Sequence, residues 1–281
     1  MSDNGSQIND VAAAPQTGNL TRQLAWYFGG LIAVYVLGLV TLWPASGEQP
    51  DDTLFLIVMF APTVGALLAT FFGGGGIQWG RPNWWILAGL IPAVVALGAY
   101  MLGSFVGWDT EDPSVLRAAL VGAPVSILSA AISALGEEIG WRGFLWPTLR
   151  RRSGFWRASL IIGAIWWLYH VPMILFGWYG SLSGIPAFTV AIVGMTLFVG
   201  VLTDRSRSLW PAVIAHGAWN ALVATSFAVT EGTEEVPAFS GSSELLGEFG
   251  WLAAISMFLV GALAAWWHVS HPQQVTHPRK D

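Results

Sequence analysis

Eight apolar stretches follow one another along this chain, near Leu24–Leu42, Leu54–Phe72, Trp84–Val106, Leu116–Leu149, Leu160–Trp178, Pro186–Thr203, Leu209–Val229 and Trp251–Trp267. Each is long enough to cross roughly 30 Å of hydrocarbon. Inside lipid a backbone must satisfy its own N–H and C=O groups, so stretches of this kind fold as helices. The sequence therefore predicts an all-α, polytopic membrane helical bundle of about eight transmembrane helices. Only 10% of the residues are charged, far below the roughly 25% of soluble domains. A soluble globular fold is excluded. The fourth stretch exceeds one crossing, so it is expected to be tilted, broken or extended beyond the bilayer.

The loops carry the orientation. Arg22, Arg81, Arg150, Arg151, Arg152, Arg157, Arg205, Arg207, Arg279 and Lys280 fall on one side of the threading. The opposite loops hold Glu48, Asp51, Asp52, Asp109, Glu111, Asp112 and the acidic segment from Glu231 to Glu248, with Arg117 the one basic residue there. The positive-inside rule then puts both termini in the cytoplasm of a cell-membrane protein. Residues 1–21 read as a disordered cytoplasmic tail, 22–270 as the membrane body, and 271–281, with His271 and His277, as a solvated second tail. The basic residues are too few and scattered for a nucleic-acid surface. There is no cysteine, which removes disulfides, thiolate metal sites and a cysteine nucleophile. Gly73–Gly76 lacks the following Lys and Ser/Thr of a phosphate loop and reads as a turn.

Against this background the segment Gly136-Glu137-Glu138-Ile139-Gly140-Trp141-Arg142 stands out. Charge in hydrocarbon costs several kcal/mol per group, so an intramembrane Glu pair marks a candidate functional site. Glu138 and Arg142 are four apart in the favourable order, acid before base, and should pair on one face. Glu137 is rotated by roughly 100° from its neighbour and should have no partner in its own helix. Two more polar islands follow: His170, within Trp166-Trp167-Leu168-Tyr169-His170, and the i,i+4 pair His216 and Asn220. Glu137 lies thirteen residues before Arg150 and His170 thirteen after Arg157, each roughly 20 Å along its helix. His216 and Asn220 lie eight and twelve after Ser208, or roughly 12–18 Å. Any one island has a bland reading as packing, as an interhelical hydrogen bond of about 0.6 kcal/mol, or as a buried ion pair. Matched depth on three helices predicts that they meet.

Glu, two His and an Asn suit hydrolysis of an amide by activated water. Glu137 would act as general base on a water shared with His170. His216 and the Asn220 amide would donate to the oxyanion. Glu137, His170 and His216 are also ligands that a divalent metal such as zinc would accept, so metal-activated and carboxylate-activated water both fit the residues. No HExxH, paired membrane Asp or Gly-x-Ser-Gly pattern is present.

These residues resemble the CAAX prenyl endopeptidase and bacteriocin-processing (CPBP, or Abi) family of intramembrane proteases. Its signature is Glu-Glu-x-x-x-Arg, an aromatic-x-x-x-His and His-x-x-x-Asn on separate helices, here Glu137-Glu138-x-x-x-Arg142, Trp166-x-x-x-His170 and His216-x-x-x-Asn220. The resemblance spans roughly Ile127 to Thr225, and Trp166 stands where the family more usually has Phe. It implies an endopeptidase with Glu137 as base, His170 sharing the water, His216 and Asn220 at the oxyanion, and Glu138 and Arg142 in support. The implied substrate is a membrane-associated peptide or protein, prenylated or not. Two other readings compete: a non-catalytic scaffold or bacteriocin-immunity protein, and a proton-coupled transporter using Glu137 and His170 as a relay.

Overall fold

The structure, a computed structural model, describes residues 19–43, 52–227 and 237–272. Residues 1–18 of the expected first tail lie outside these ranges, as do most of the second tail, with His277, Arg279 and Lys280, and the segment 228–236. Among the described residues six helices are long and apolar enough to cross a membrane. They are α1 (Leu20–Leu42), α4 (Trp85–Phe105), the run from Pro113 to Arg150, α7 (Phe155–Leu175), α8 (Ile185–Ser206) and α10 (Trp251–Ser270). The chain is a helical, multi-pass integral membrane protein.

The two remaining expected spans take other forms. The second is divided at Phe60 into α2 (Asp52–Met59) and α3 (Ala61–Gly73). Pro62 in the first turn of α3 brings no N–H to bond back into α2, which is why the break falls there. The seventh is the twelve-residue α9 (Trp210–Ala221), followed by a π-helical turn over Leu222–Ser226. The long fourth stretch is also rewound: α5 (Pro113–Glu138) passes into a π-helical segment, Ile139–Leu145, and then the short α6 (Trp146–Arg150). Asp112 caps α5, its carboxylate accepting from the Ser114 and Val115 amides at 2.9 and 3.2 Å. Arg117 is exposed on the first turns of that helix, consistent with its side chain reaching outward.

Close helix packing depends on small residues, as lipid supplies no hydrophobic drive between helices. α1 runs along α3, α5 along α9, and α8 along α10. Gly194 and Gly261 meet so tightly that a Cβ on Gly261 would stand 2.1 Å from the Gly194 carbonyl oxygen. On the acidic side, β1 (Asp109–Glu111) and β2 (Phe239–Gly241) pair antiparallel, with Asp109 opposite Gly241. The loop from β2 to α10 folds back over the bundle: Tyr100 Oη accepts from the Gly247 amide at 3.0 Å, and Phe249 stacks on Phe188 with ring centroids 4.6 Å apart.

Candidate active site

The three polar islands open onto one cavity of about 430 Å³, whose lining includes Glu137, Trp166, His170, His216 and Asn220. Two small residues permit the convergence. Gly217, beside His216, lets α9 approach α5, since a Cβ there would stand 2.9 Å from the Ala131 amide nitrogen. Gly140, just past the Glu pair, lies against Pro62 of α3, where a Cβ would come within 2.4 Å of the proline ring. π-helical turns inside α-helices recur at functional sites. Here one begins immediately after Glu138, and every residue in it is buried.

Glu138 and Arg142 pair as the spacing predicted, Nη1 to Oε1 at 2.9 Å, with neither side chain exposed to solvent. The same Glu138 oxygen accepts from His216 Nδ1 at 3.0 Å, so the pair also orients the histidine. The Arg142 guanidinium lies over the Trp166 ring, 4.5 Å from its centroid. Neither Glu138 nor Arg142 lines the cavity; both stand behind it.

The expectation that Glu137 lacks a partner in its own helix is corrected. Its Oε2 accepts from Trp141 Nε1, four residues on, at 3.1 Å, and from Trp166 Nε1 of α7 at 2.7 Å. Helical rotation separates Glu137 from Arg142, yet it leaves the i+4 indole of Trp141 over the carboxylate. The second oxygen, Oε1, is buried without a hydrogen-bond partner among the described residues. Trp166 thus contributes more than a ring: its N–H fixes the carboxylate.

His170 Nδ1 lies 2.8 Å from the Trp166 carbonyl. A carbonyl can only accept, so Nδ1 carries the proton and Nε2 is left as the available ring nitrogen. His216 Nδ1 faces a carboxylate and is committed in the same way. His216 and Asn220 are not bonded to each other; Asn220 lines the cavity in its own right.

Three further side chains on this cavity escaped the sequence reading. Tyr179, Trp219 and Glu248 all line it, with Tyr179 Oη donating to Glu248 Oε2 at 2.5 Å and Trp219 Nε1 to Glu248 Oε1 at 3.0 Å. Trp219 adjoins Asn220 in the motif and could have been suspected. Glu248 could not, because it reads as one acid in an acidic loop.

The metal alternative does not fit this arrangement. Among the described residues no group of three or more His, Asp or Glu side chains is placed to hold one ion.

Residues 118–222 match the family model described as Type II CAAX prenyl endopeptidase Rce1-like. Over 98 residues the chain is 29% identical to CAAX prenyl protease 2 of Methanococcus maripaludis, covering 30% of this chain and 34% of that protein. The chain therefore spans about a third of the length of that curated relative. The matched segment runs from the first turns of α5 to the end of α9 and contains all seven signature positions, whereas Glu248 lies beyond it. Over that segment the chain is similar to the CPBP proteins of the CAAX-type membrane protease family.

Proposed function

We propose that the protein is an intramembrane endopeptidase of the CAAX prenyl protease type, hydrolysing a peptide bond within the membrane with carboxylate-activated water. The observation that carries this reading is the state of Glu137. One oxygen is held by two indole N–H groups, and the other has no partner among the described residues, on a cavity that His170, His216 and Asn220 also line. A carboxylate fixed in this way is oriented before the substrate arrives.

In the proposed reaction a water bridges Glu137 Oε1 and His170 Nε2. Glu137 takes its proton as the water oxygen adds to the scissile carbonyl. The resulting oxyanion receives hydrogen bonds from the Asn220 amide and from His216 Nε2–H in the imidazolium form, whose Nδ1–H rests on Glu138. Collapse of the tetrahedral intermediate breaks the C–N bond, and the proton held by Glu137 passes to the leaving amine. Glu138 and Arg142 are positioning residues, acting through His216 and Trp166. The substrate class is a membrane-associated peptide, with or without a lipid.

The test is cleavage of quenched CAAX-type peptides, prenylated and unprenylated, by the full chain in liposomes. Wild type should cleave and Glu137→Gln should not. Equal rates for the two would remove Glu137 from its role as base.

A further inference from the structure

Glu248 reaches the cavity from outside the segment shared with the family, on the loop between β2 and α10. Tyr179 and Trp219 each give one hydrogen bond to it, one per oxygen. A carboxylate offers roughly four acceptor positions, so two donors leave room for a ligand. Burial, with the Glu248 charge adding to it, holds the Tyr179 phenol well above its usual range, so it stays protonated and donating. Neighbouring contacts at Gly247 and Phe249 pin the loop on both sides of Glu248.

What this carboxylate lacks is a counter-ion. Glu138 is paired with Arg142 and Asp204 with Arg150, but among the described residues no Lys, Arg or His side chain pairs with Glu248. The chain from 228 to 250 contains Glu231, Glu234, Glu235, Glu244 and Glu248 and no basic residue. The same cavity is lined by Glu137, 1% exposed, whose Oε1 has no partner among the described residues. A low-dielectric cleft with uncompensated charge of one sign concentrates the opposite charge.

We propose that Glu248 forms a specificity subsite: it receives a cationic side chain, lysine or arginine, of the peptide lying across Glu137, and rejects an acidic group or a free terminal carboxylate there. This rests on the reading of the cavity as a peptide-cleaving site. Both donors to Glu248 are neutral hydrogen-bond groups that leave its charge intact, so the attraction is available to a ligand. A site built around a fixed charge discriminates as much by rejecting the wrong sign as by binding the right one.

The experiment uses the full chain in nanodiscs and fluorescein-labelled peptides identical except for one residue, Lys, Gln or Glu, stepped through successive positions. Binding is read by anisotropy and cleavage on the same panel. At one position the Lys peptide should bind about tenfold more tightly than the Glu peptide, with Gln between. Glu248→Gln should bring Lys and Glu to within about twofold there while leaving the Gln peptide unchanged, and Glu248→Lys should reverse the order. Glu111→Gln, which removes an exposed acid on β1, should leave the preference intact. The proposal is overturned if wild type shows no such position, if Glu248→Gln retains the preference, or if it weakens all three peptides equally, as a mere strut for the loop would. Peptides bound in the expected charge order but never cut would contradict the endopeptidase reading and leave Glu248 standing. Peptides cut with no charge order would do the reverse.

Discussion

The site is decided at individual atoms. Glu137 is split between an oxygen fixed by Trp141 and Trp166 and one with no hydrogen-bond partner among the described residues. Trp166→Phe keeps the ring under Arg142 and removes one N–H, so it should preserve folding and lower kcat by about tenfold, the loss of one charge-assisted hydrogen bond. Steady-state kinetics in liposomes would show it; an unchanged kcat would mean that Trp141 alone suffices to orient the carboxylate. Glu138→Leu has a different consequence. It strands Arg142 as an uncompensated buried charge, and breaking such a pair costs about 3–5 kcal/mol. Thermal unfolding in detergent should register that loss, and no loss would mean that Arg142 finds water or another acceptor. Because no three ligating side chains among the described residues are placed to share one ion, chelator should leave peptide cleavage unaffected. A loss of activity restored by added zinc would contradict this.

At the scale of elements, the bundle depends on where helices come closest. Gly140→Ala would press a methyl into Pro62 at 2.4 Å, whereas Gly98 of α4 has nothing within 4 Å of the corresponding position. The first should cost about 1–3 kcal/mol by overpacking, and the second should be neutral or stabilising by up to about 1 kcal/mol from helix propensity. Paired melting curves would show the contrast. How far such elements were legible in the sequence depended on whether the signal was local. Apolar length and the arginine pattern mark helix after helix, and the i,i+4 spacing gave the Glu138–Arg142 pair directly. The division at Phe60 had a local sign in Pro62, read only as part of one span. The π-helical turn after Glu138 had none, since it arises from how Ile139–Leu145 packs among α3, α5 and α6. The Trp141 half of the clasp on Glu137 had an i,i+4 sign that went unread, whereas the Trp166 half and the Tyr179–Glu248–Trp219 group depend on tertiary proximity that periodicity cannot encode.

For the whole molecule, the charge pattern of the sequence predicts basic loops on one face and acidic loops on the other. The natural absence of cysteine makes the orientation directly testable. Arg152→Cys should react with an impermeant maleimide only from the cytoplasmic side, and Ser242→Cys only from the opposite side; the reverse pattern would invert the topology. The most direct measurement remains cleavage of a peptide panel by the full chain in liposomes, wild type against Glu137→Gln. The substitution preserves shape and one acceptor oxygen but removes the base. Cleavage by wild type, reduced by at least about a hundredfold in the variant, is the expected result. A variant that folds and cleaves at the wild-type rate would contradict the central claim that Glu137 activates the water.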